Sequence, residues 1–443
     1  MRVFVALRYR DFRLLWAGLF LSFIGSFMQA AAILWHVSLL VPDNRRALAL
    51  GLVGLSRVGP VIVFSMISGV AADALNRRSV MLVTQSVMTV LAGLLALATF
   101  HGLTTVWPIY VLAAAASAAG SFDLPARQAL VPTLVAREHL PNAISLNTIA
   151  TQTASVVGPA LGGLLIAHVE VGWVYVCNSV SFLFVIAALV LMKGQGRTHI
   201  VGTAERDRGN FTVAAALEGL RFVFRQPLIR STMLLDFFAT FFSSATALLP
   251  IFAQDILHVG ARGYGWLYAA PAAGAVLTSA VMVRAVDSIT HRGRVLVAAI
   301  AVYGLATVVF GLSTSFWLTF SCLAMTGAAD TVSMVFRNLI RQLETPDYLR
   351  GRMMGVNMVF FMGGPQLGEL EAGLVGNWLG PVVSVVSGGV GCLAATIWVA
   401  GRTPELRDYR STEDSGIKAP PARPRPPVES PLKDVQPPAS PMP

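Results

Sequence analysis

Three acidic residues lie inside long apolar stretches of the sequence, where a charged side chain is costly and therefore indicates function. Asp236 falls in the cytoplasmic third of a predicted membrane span, and Glu369 and Glu371 fall in the outer half of a later one. A carboxylate in a dry cavity takes up a proton more readily than one in water. We therefore interpret these residues as candidates for proton coupling. For each, the alternative is a buried ion pair, for example with Arg57.

Side chains in other spans are candidates for lining a cavity, because polar groups within a membrane mostly face protein or water. They are Gln29, Trp35, His36, Arg57 and Gln366. For the aromatic side chain, ordinary packing is the alternative. The seven histidines and three cysteines show no spacing typical of metal ligands or of a disulfide framework. We therefore expect no metal site and no cofactor.

A second group of charges lies in the short loop G-V-A-A-D-A-L-N-R-R between two apolar runs. Gly69 allows two helix ends to approach closely. Asp73, Arg77 and Arg78 can join neighbouring helices through charge-assisted hydrogen bonds. This pattern predicts a latch between helices. The alternative is a basic loop that only sets the topology.

Asp123 and Arg127 are one helical turn apart at the end of the fourth apolar run. If that run lies beside the loop, we expect them to form an ionic cluster with Asp73 and Arg77 at the cytoplasmic mouth. Such a cluster can bias an equilibrium between two conformations and act as a gate. Static interface charges are the alternative. The matching residues in the second half of the chain are Asp287, Arg292, Asp330 and Arg337.

The elements that position these residues are predicted from composition. The 443 residues are 55 % apolar and 13 % charged, with a mean hydropathy of +0.66, whereas soluble proteins carry roughly 25 % charged residues. Twelve runs are long enough to cross a bilayer as helices. They lie near 14–40, 47–72, 80–100, 106–125, 143–167, 172–192, 231–254, 264–286, 295–313, 316–336, 353–375 and 381–401.

The distribution of basic residues favours this topology. With both termini cytoplasmic, the outer loops contain only Arg45, Arg46 and Arg262 of the 33 lysines and arginines, as the positive-inside rule requires. The net charge of +10 is thereby explained by membrane orientation, and no nucleic-acid partner is expected.

The two halves of the chain repeat. A shift of 210 residues matches Arg127 with Arg337 and Gly163 with Gly373, and a shift of 214 matches Gly51 with Gly265, Asp73 with Asp287 and Arg78 with Arg292. Many secondary transporters are built from such repeats around a midplane site. We therefore predict an all-α membrane protein of twelve transmembrane helices, arranged as two pseudo-symmetric six-helix bundles.

This pattern divides the chain into four parts. The predicted domains are an N-terminal bundle over 1–192 and a C-terminal bundle over 231–401. Between them, 193–230 is a cytoplasmic linker whose second part, 211–230, has the pattern of an amphipathic surface helix. The proline-rich segment 402–443 is predicted to be a disordered cytoplasmic tail.

A further motif, G-P-A-L-G-G, lies in the middle of the fifth predicted helix. Pro159 removes a backbone hydrogen bond and favours a kink. The small residues Gly158, Gly162 and Gly163 allow a neighbouring helix to pack closely. A generic kink without a functional part is the alternative.

The loop pattern G-x-x-x-D-x-x-x-R-R resembles the loop between helices 2 and 3 of major facilitator superfamily transporters. The fifth-helix motif resembles the helix-5 signature of exporters in that superfamily, and R-D-F-R-L-L-W from Arg10 onward resembles its enterobactin-exporter-like branch. The resemblance implies the twelve-helix fold and a bacterial inner-membrane transporter, which exports a siderophore or drug-like molecule by proton antiport and alternating access. The implied partners are a small-molecule substrate, protons and the lipid bilayer, with the protein acting as a monomer.

Three alternatives remain open from the sequence. An importer of the same fold would have the same repeats and latch. A non-transporting receptor or a membrane enzyme would need a folded extramembrane domain or a catalytic constellation, and the sequence shows neither. It also lacks a G-x-x-x-x-G-K-[ST] loop, so that route to ATP hydrolysis is excluded, and we expect the protein not to be an enzyme.

Overall fold

The computed structural model describes residues 4–193, 220–242, 245–346 and 349–410, without the side chains of residues 65–74, 245, 350–352, 354, 355 and 358–362. Twelve long helices account for most of the described chain. They are α1 (Arg10–Leu40), α2 (Asp43–Ala74), α3 (Arg77–Phe100), α4 (Trp107–Leu130), α5 (Leu140–His168), α6 (Val171–Leu191), α7 (Pro227–Phe242), α8 (Gly260–Ala285), α9 (Arg292–Leu312), α10 (Phe316–Glu344), α11 (Arg350–Leu379) and α12 (Pro381–Arg402).

Eleven of these helices, within the described residues, are long and apolar enough to span a membrane. The seventh span runs on from α7 through short 3-10, α and π turns to Ile256. Helix α11 is not among the eleven, although its 30 residues give it sufficient length. The prediction of an all-helical membrane protein is confirmed, and each predicted span coincides with a helix.

The helices pack in two groups. In the first, α1 contacts α5 and α6, α3 contacts α4 and α6, and α2 contacts α4. In the second, α7 contacts α11 and α12, α10 contacts α8 and α9, and α9 contacts α12. The extensive contacts between the groups are α2 with α11 and α5 with α8. These four helices therefore form the interface between the halves.

We call the end of the bundle at which α1 begins the inner end, and the end at which it finishes the outer end; only the sequence pattern assigns the inner end to the cytoplasm. The halves meet closely towards the outer end. Gly51 of α2 lies against Gly373 of α11, and Gly163 of α5 lies against Gly265 of α8. A side chain at any of these positions would contact the opposite backbone, so glycine permits both helix crossings.

Polar contacts join the halves at the same end. The Tyr264 hydroxyl of α8 donates to the Ala31 carbonyl of α1 at 2.8 Å. The Arg46 guanidinium of α2 contacts the Asp255 carboxylate at 2.7 Å, and the Gln254 amide donates to Ser38 at 2.7 Å. The structure therefore has its halves joined and packed at the outer end.

Two predicted segments differ from the structure or lie partly outside it. Of the predicted amphipathic helix, 211–219 lies outside the described residues, and 220–225 is helical with Val223 buried. The predicted disordered tail begins instead with an ordered helix, Pro404–Arg407, in which Leu406 is buried and packs on Gly293 at the start of α9. Its apolar side chain gives this segment a site on the bundle; 411–443 lies outside the described residues.

Candidate functional site

A buried charge network lies within the second half. The Asp236 carboxylate of α7 contacts Arg337 of α10 at 2.9 Å and Arg341, one turn further along α10, at 3.1 Å. All three side chains are at most 5 % exposed. Ionic groups in a dry environment stabilise one another, so each group depends strongly on the others.

Further contacts extend this network to a third helix. Arg341 also donates to the Thr232 carbonyl of α7 at 3.1 Å and to the Asn357 side chain of α11. Arg337 contacts Asp330 at 3.2 Å, and this second carboxylate is 44 % exposed. The network therefore ties α7, α10 and α11 together, and Asp330 connects it to a cavity of about 120 Å³ in the second half.

The structure places two residues in direct contact to which the sequence analysis gave different roles. Asp236 was expected to be a proton-coupling residue and Arg337 part of a gate, but they belong to one ion pair. Sequence reasoning missed Arg341, because it lies beyond the predicted end of the tenth span. Its spacing of four residues from Arg337 would have placed both on one face of a continuous helix.

The corresponding site in the first half is held differently. Asp123 of α4 accepts hydrogen bonds from Thr84 at 3.0 Å and from the Gln85 amide at 2.9 Å, both on α3. Arg127 lies 3.9 Å from this carboxylate, and its guanidinium stacks 4.7 Å over the Phe23 ring of α1. Neutral donors therefore supply most of the hydrogen bonds to Asp123.

The paired arginines of the loop bind helix ends. Arg77 donates to the Ala129 carbonyl at 3.0 Å, and Arg78 donates to the Val190 carbonyl at 3.3 Å. These acceptors lie in the last turns of α4 and α6, where carbonyls lack helical partners. The expected four-residue ionic cluster remains a prediction, because the side chain of Asp73 lies outside the described ones. Gly69 and Asp73 lie outside the described side chains.

Only two of the four second-half counterparts are brought together, namely Asp330 and Arg337. Asp287 is exposed in the short helix Val286–Ser288, and Arg292 begins α9 beside the segment that contains Tyr409. Among the described residues, no ion pair joins Asp287 or Arg292 to Asp330 or Arg337. In the described state the four residues therefore do not form a single cluster, because Arg337 lies inside the bundle with Asp236.

A different polar site lies near the interface of the halves. Arg57 of α2 and Gln29 of α1 line a cavity of about 210 Å³. The Glu369 carboxylate of α11 lies against the Cα of Gly54, one turn from Arg57 on α2, and the charge of Arg57 acts on it. One cavity candidate, Arg57, is therefore near a coupling candidate that lies in the other half.

The remaining candidates of this group are more scattered. The Gln366 carbonyl also lies against Gly54, so this residue belongs to the contact between α2 and α11. Glu371 is half-buried and lies two positions from Glu369, on the opposite side of α11. The three predicted coupling carboxylates therefore occupy three separate environments.

Two predicted cavity residues are packed in the outer end instead. His36 is 5 % exposed and hydrogen-bonds to the Tyr175 hydroxyl at 3.1 Å. Trp35 is 6 % exposed, with its ring 5.1 Å from that of Tyr264 in the other half. In the described state neither residue lines a cavity, because these positions lie where the halves close and their side chains are packed there.

The glycines of the fifth-helix motif serve two contacts. Gly158 lies against the Ile24 carbonyl of α1, and Gly162 lies against Met28 on the same helix. Gly163 faces α8 across the interface, and the carbonyl of Pro159 contacts Gly265 there. The motif therefore allows α5 to approach one helix of its own half and one of the other.

This architecture defines the class of the protein: it has the fold of major facilitator transporters. A solved bacterial homologue of the human lysosomal transporter Spinster, inward-facing and unoccupied, matches with a TM-score of 0.66 and 14 % identity over 89 % of this chain and 95 % of that one. The nucleoside transporter NupG matches with a TM-score of 0.67 and 14 % identity over 90 % and 100 %. At this identity the likeness establishes the fold alone.

The chain belongs to the transmembrane secretion effector family of this superfamily, whose model matches residues 2–436. It is 27 % identical over 359 residues to the enterobactin exporter EntS of Escherichia coli O1:K1 / APEC, covering 80 % of this chain and 83 % of the relative. It is 28 % identical over 369 residues to EntS of Shigella boydii serotype 4 (strain Sb227), covering 82 % and 85 %. The protein is a multi-pass secondary transporter of small molecules and not an enzyme.

Proposed function

We propose that the protein exports a small organic molecule across the bacterial inner membrane by proton antiport, with both termini in the cytoplasm. The observation that carries the direction of transport is the similarity to exporters along four-fifths of the chain. A siderophore or a drug-like molecule is the substrate class that this similarity favours. Import by the same fold is the competing function.

The contacts between the halves support alternating access. The two glycine crossings and the Tyr264–Ala31 hydrogen bond lie towards the outer end, so the described state is closed on that side. Transport requires these contacts to separate while the inner end closes. The glycine crossings themselves contain few interlocking side chains, whereas the buried apolar cluster around Trp35 and Tyr264 also has to separate.

Asp236 is the coupling residue that we favour. Its carboxylate is the only acidic group described within 4 Å of both Arg337 and Arg341. Protonation would remove the charge that holds both guanidinium groups and would loosen α7 from α10. A proton taken up from one side and released on the other can thereby select between two helix arrangements.

Inverted and right-side-out membrane vesicles with an imposed pH gradient test this function. We expect a labelled siderophore or lipophilic drug to accumulate in inverted vesicles, and an uncoupler to abolish the accumulation. Uptake only by right-side-out vesicles would establish import instead. The panel should include hydroxamate and catecholate siderophores and macrolide-like drugs, because the substrate class is part of the proposal.

The coupling residue is tested by Asp236→Asn, with Asp330→Asn as the matched control. Both substitutions remove a carboxylate that contacts Arg337, but only Asp236 also contacts Arg341. Removing one partner of a buried ion pair costs about 3–5 kcal/mol, and Asp330→Asn leaves both guanidinium groups in contact with Asp236. We expect Asp236→Asn alone to lose proton-driven transport at normal membrane expression. Equal proton-driven transport in the two variants would refute the assignment.

A further inference from the structure

We propose that Arg57 is the binding residue for an anionic group of the substrate, and that its counter-charge in the empty transporter is Glu369 of the opposite half. The substrate class is then an organic anion with an apolar body. This inference rests on the proposed export function but can be tested by binding alone.

The cavity beside Arg57 suits such a ligand. It has a volume of about 210 Å³, and its walls include the apolar side chains of Leu91, Leu95 and Phe182. Arg57 and Gln29 supply hydrogen-bond donors to it, and the Gln29 carbonyl oxygen already accepts a bond from Asn178 at 2.8 Å. Asn178 lines the same cavity. Charged and amide donors on an apolar pocket favour an acid carried on a hydrophobic group.

The guanidinium is available to a ligand. Among the described residues, no carboxylate lies within 4 Å of Arg57. Arg337 and Arg341, by contrast, each contact the Asp236 carboxylate directly. The Glu369 carboxylate of α11 lies against Gly54, one helical turn from Arg57 on α2, and makes no direct salt bridge with Arg57 among the described residues. An arginine in a membrane span is costly, so a site that leaves it without a contacting carboxylate favours an external anion.

The internal repeat marks Arg57 as a specific addition. The shift of 214 residues that matches Gly51 with Gly265 places Pro271 at the position of Arg57. Pro271 lines a smaller cavity of about 120 Å³ in the second half. The fold therefore accommodates either a charged or an uncharged residue at this position, and the arginine has a role other than forming the fold.

The location of Glu369 gives ligand binding a mechanical consequence. Arg57 and Glu369 lie on α2 and α11, whose crossing at Gly51 and Gly373 joins the halves towards the outer end. Their attraction stabilises the outer-closed state. An anion bound to Arg57 neutralises the guanidinium and leaves Glu369 facing a negative charge, which weakens the crossing. Loading from the inner side therefore favours opening of the outer end.

The test is equilibrium binding of 2-naphthoate and its neutral isostere 2-naphthamide to the full-length transporter in lipid nanodiscs. We expect the wild type to prefer the acid. Arg57→Gln should weaken acid binding at least tenfold, about 1.4 kcal/mol, and leave amide binding unchanged. Arg57→Lys should retain part of the preference, and Arg262→Gln, an equal charge change at an exposed outer site, should retain all of it.

Glu369→Gln should change the affinity for 2-naphthoate in the opposite direction to Arg57→Gln. Removing the competing carboxylate should tighten 2-naphthoate binding severalfold without affecting 2-naphthamide. The proposal is overturned if the wild type does not distinguish acid from amide, if Arg57→Gln binds both as the wild type does, or if Glu369→Gln weakens acid binding. Because no step measures transport, failure of export in vesicles with intact acid binding would overturn the proposed function and leave this site standing.

Discussion

The close crossing of α5 and α8 makes Gly163→Ala a direct test of how the outer end closes. A Cβ atom at position 163 would lie 2.6 Å from both the Ala261 carbonyl oxygen and the Gly265 Cα. The two backbones would have to separate by about 1 Å to reach ordinary van der Waals contact. Backbone cannot rotate away as a flexible side chain can, so the strain falls on the contact between the halves.

The expected magnitude follows from the cost of overpacking, about 1–3 kcal/mol. This cost applies to the outer-closed state, because opening separates α5 from α8. The population ratio of outer-open to outer-closed transporter should therefore rise roughly 5- to 150-fold. The control is Gly162→Ala, where the new methyl group meets the flexible Met28 side chain within the same half. We expect this neighbouring substitution to leave the ratio close to that of the wild type.

Distances between spin labels at the outer ends of α4 and α10 measure this ratio. Trp107 and Trp317 are 70 % and 73 % exposed and correspond to each other in the repeat, so both accept a label after replacement by cysteine in a background without native cysteines. Gly163→Ala should enlarge the long-distance population, and Gly51→Ala should do the same through the other crossing. If both variants retain the wild-type distance distribution, the crossings do not hold the outer end closed.

Two further predictions use the polar contacts between the halves. Tyr264→Phe removes an inter-half hydrogen bond and should favour outer opening by about 1 kcal/mol, whereas Tyr110→Phe removes an equally short bond within the first half and should only lower thermal stability. Equal opening of both variants in the label-distance measurement would contradict this. Asp255→Asn should favour outer opening by about 0–1 kcal/mol at low salt and by less at high salt. Asp43→Asn removes the same-half partner of Arg46 and should not favour opening. Opening that does not depend on salt would refute an ionic cause.

The sequence predicts the helices well because hydrophobic length is a strong local signal. The predicted span 14–40 corresponds to α1, Arg10–Leu40, and 381–401 corresponds to α12, Pro381–Arg402. Helix ends are predicted less well, since the charged last turns of a helix resemble a loop. The tenth span was predicted to end at 336, whereas α10 continues to Glu344 and contains Arg341.

The partners of the buried charges could not be predicted from spacing. Asp236 and Arg337 are about one hundred residues apart, and only the packing of α7 against α10 brings them together. Likewise, nothing in the local sequence indicates that Arg77 bonds to the carbonyl of Ala129. Ionic pairing across helices depends on the rotation of each helix about its axis and on its neighbours, which the spacing of residues along one helix does not determine.

The glycines at which the two halves pack together correspond to each other in the internal repeat. The shifts of 210 and 214 residues map one glycine crossing onto the other, since Gly163 corresponds to Gly373 and Gly51 to Gly265.

Several charges do not follow the repeat in this way, although Arg337 corresponds to Arg127. The same shifts match Arg57 with Pro271, Glu369 with Pro159 and Arg341 with Val131. The symmetric glycines thus hold the halves together, whereas Arg57 and Glu369 carry charge at asymmetric positions. Substitutions at the crossings should therefore change the transport of acidic and neutral compounds in parallel, whereas substitution of Arg57 should change their ratio; a crossing variant that alters this ratio would show that closure and selectivity are not separable.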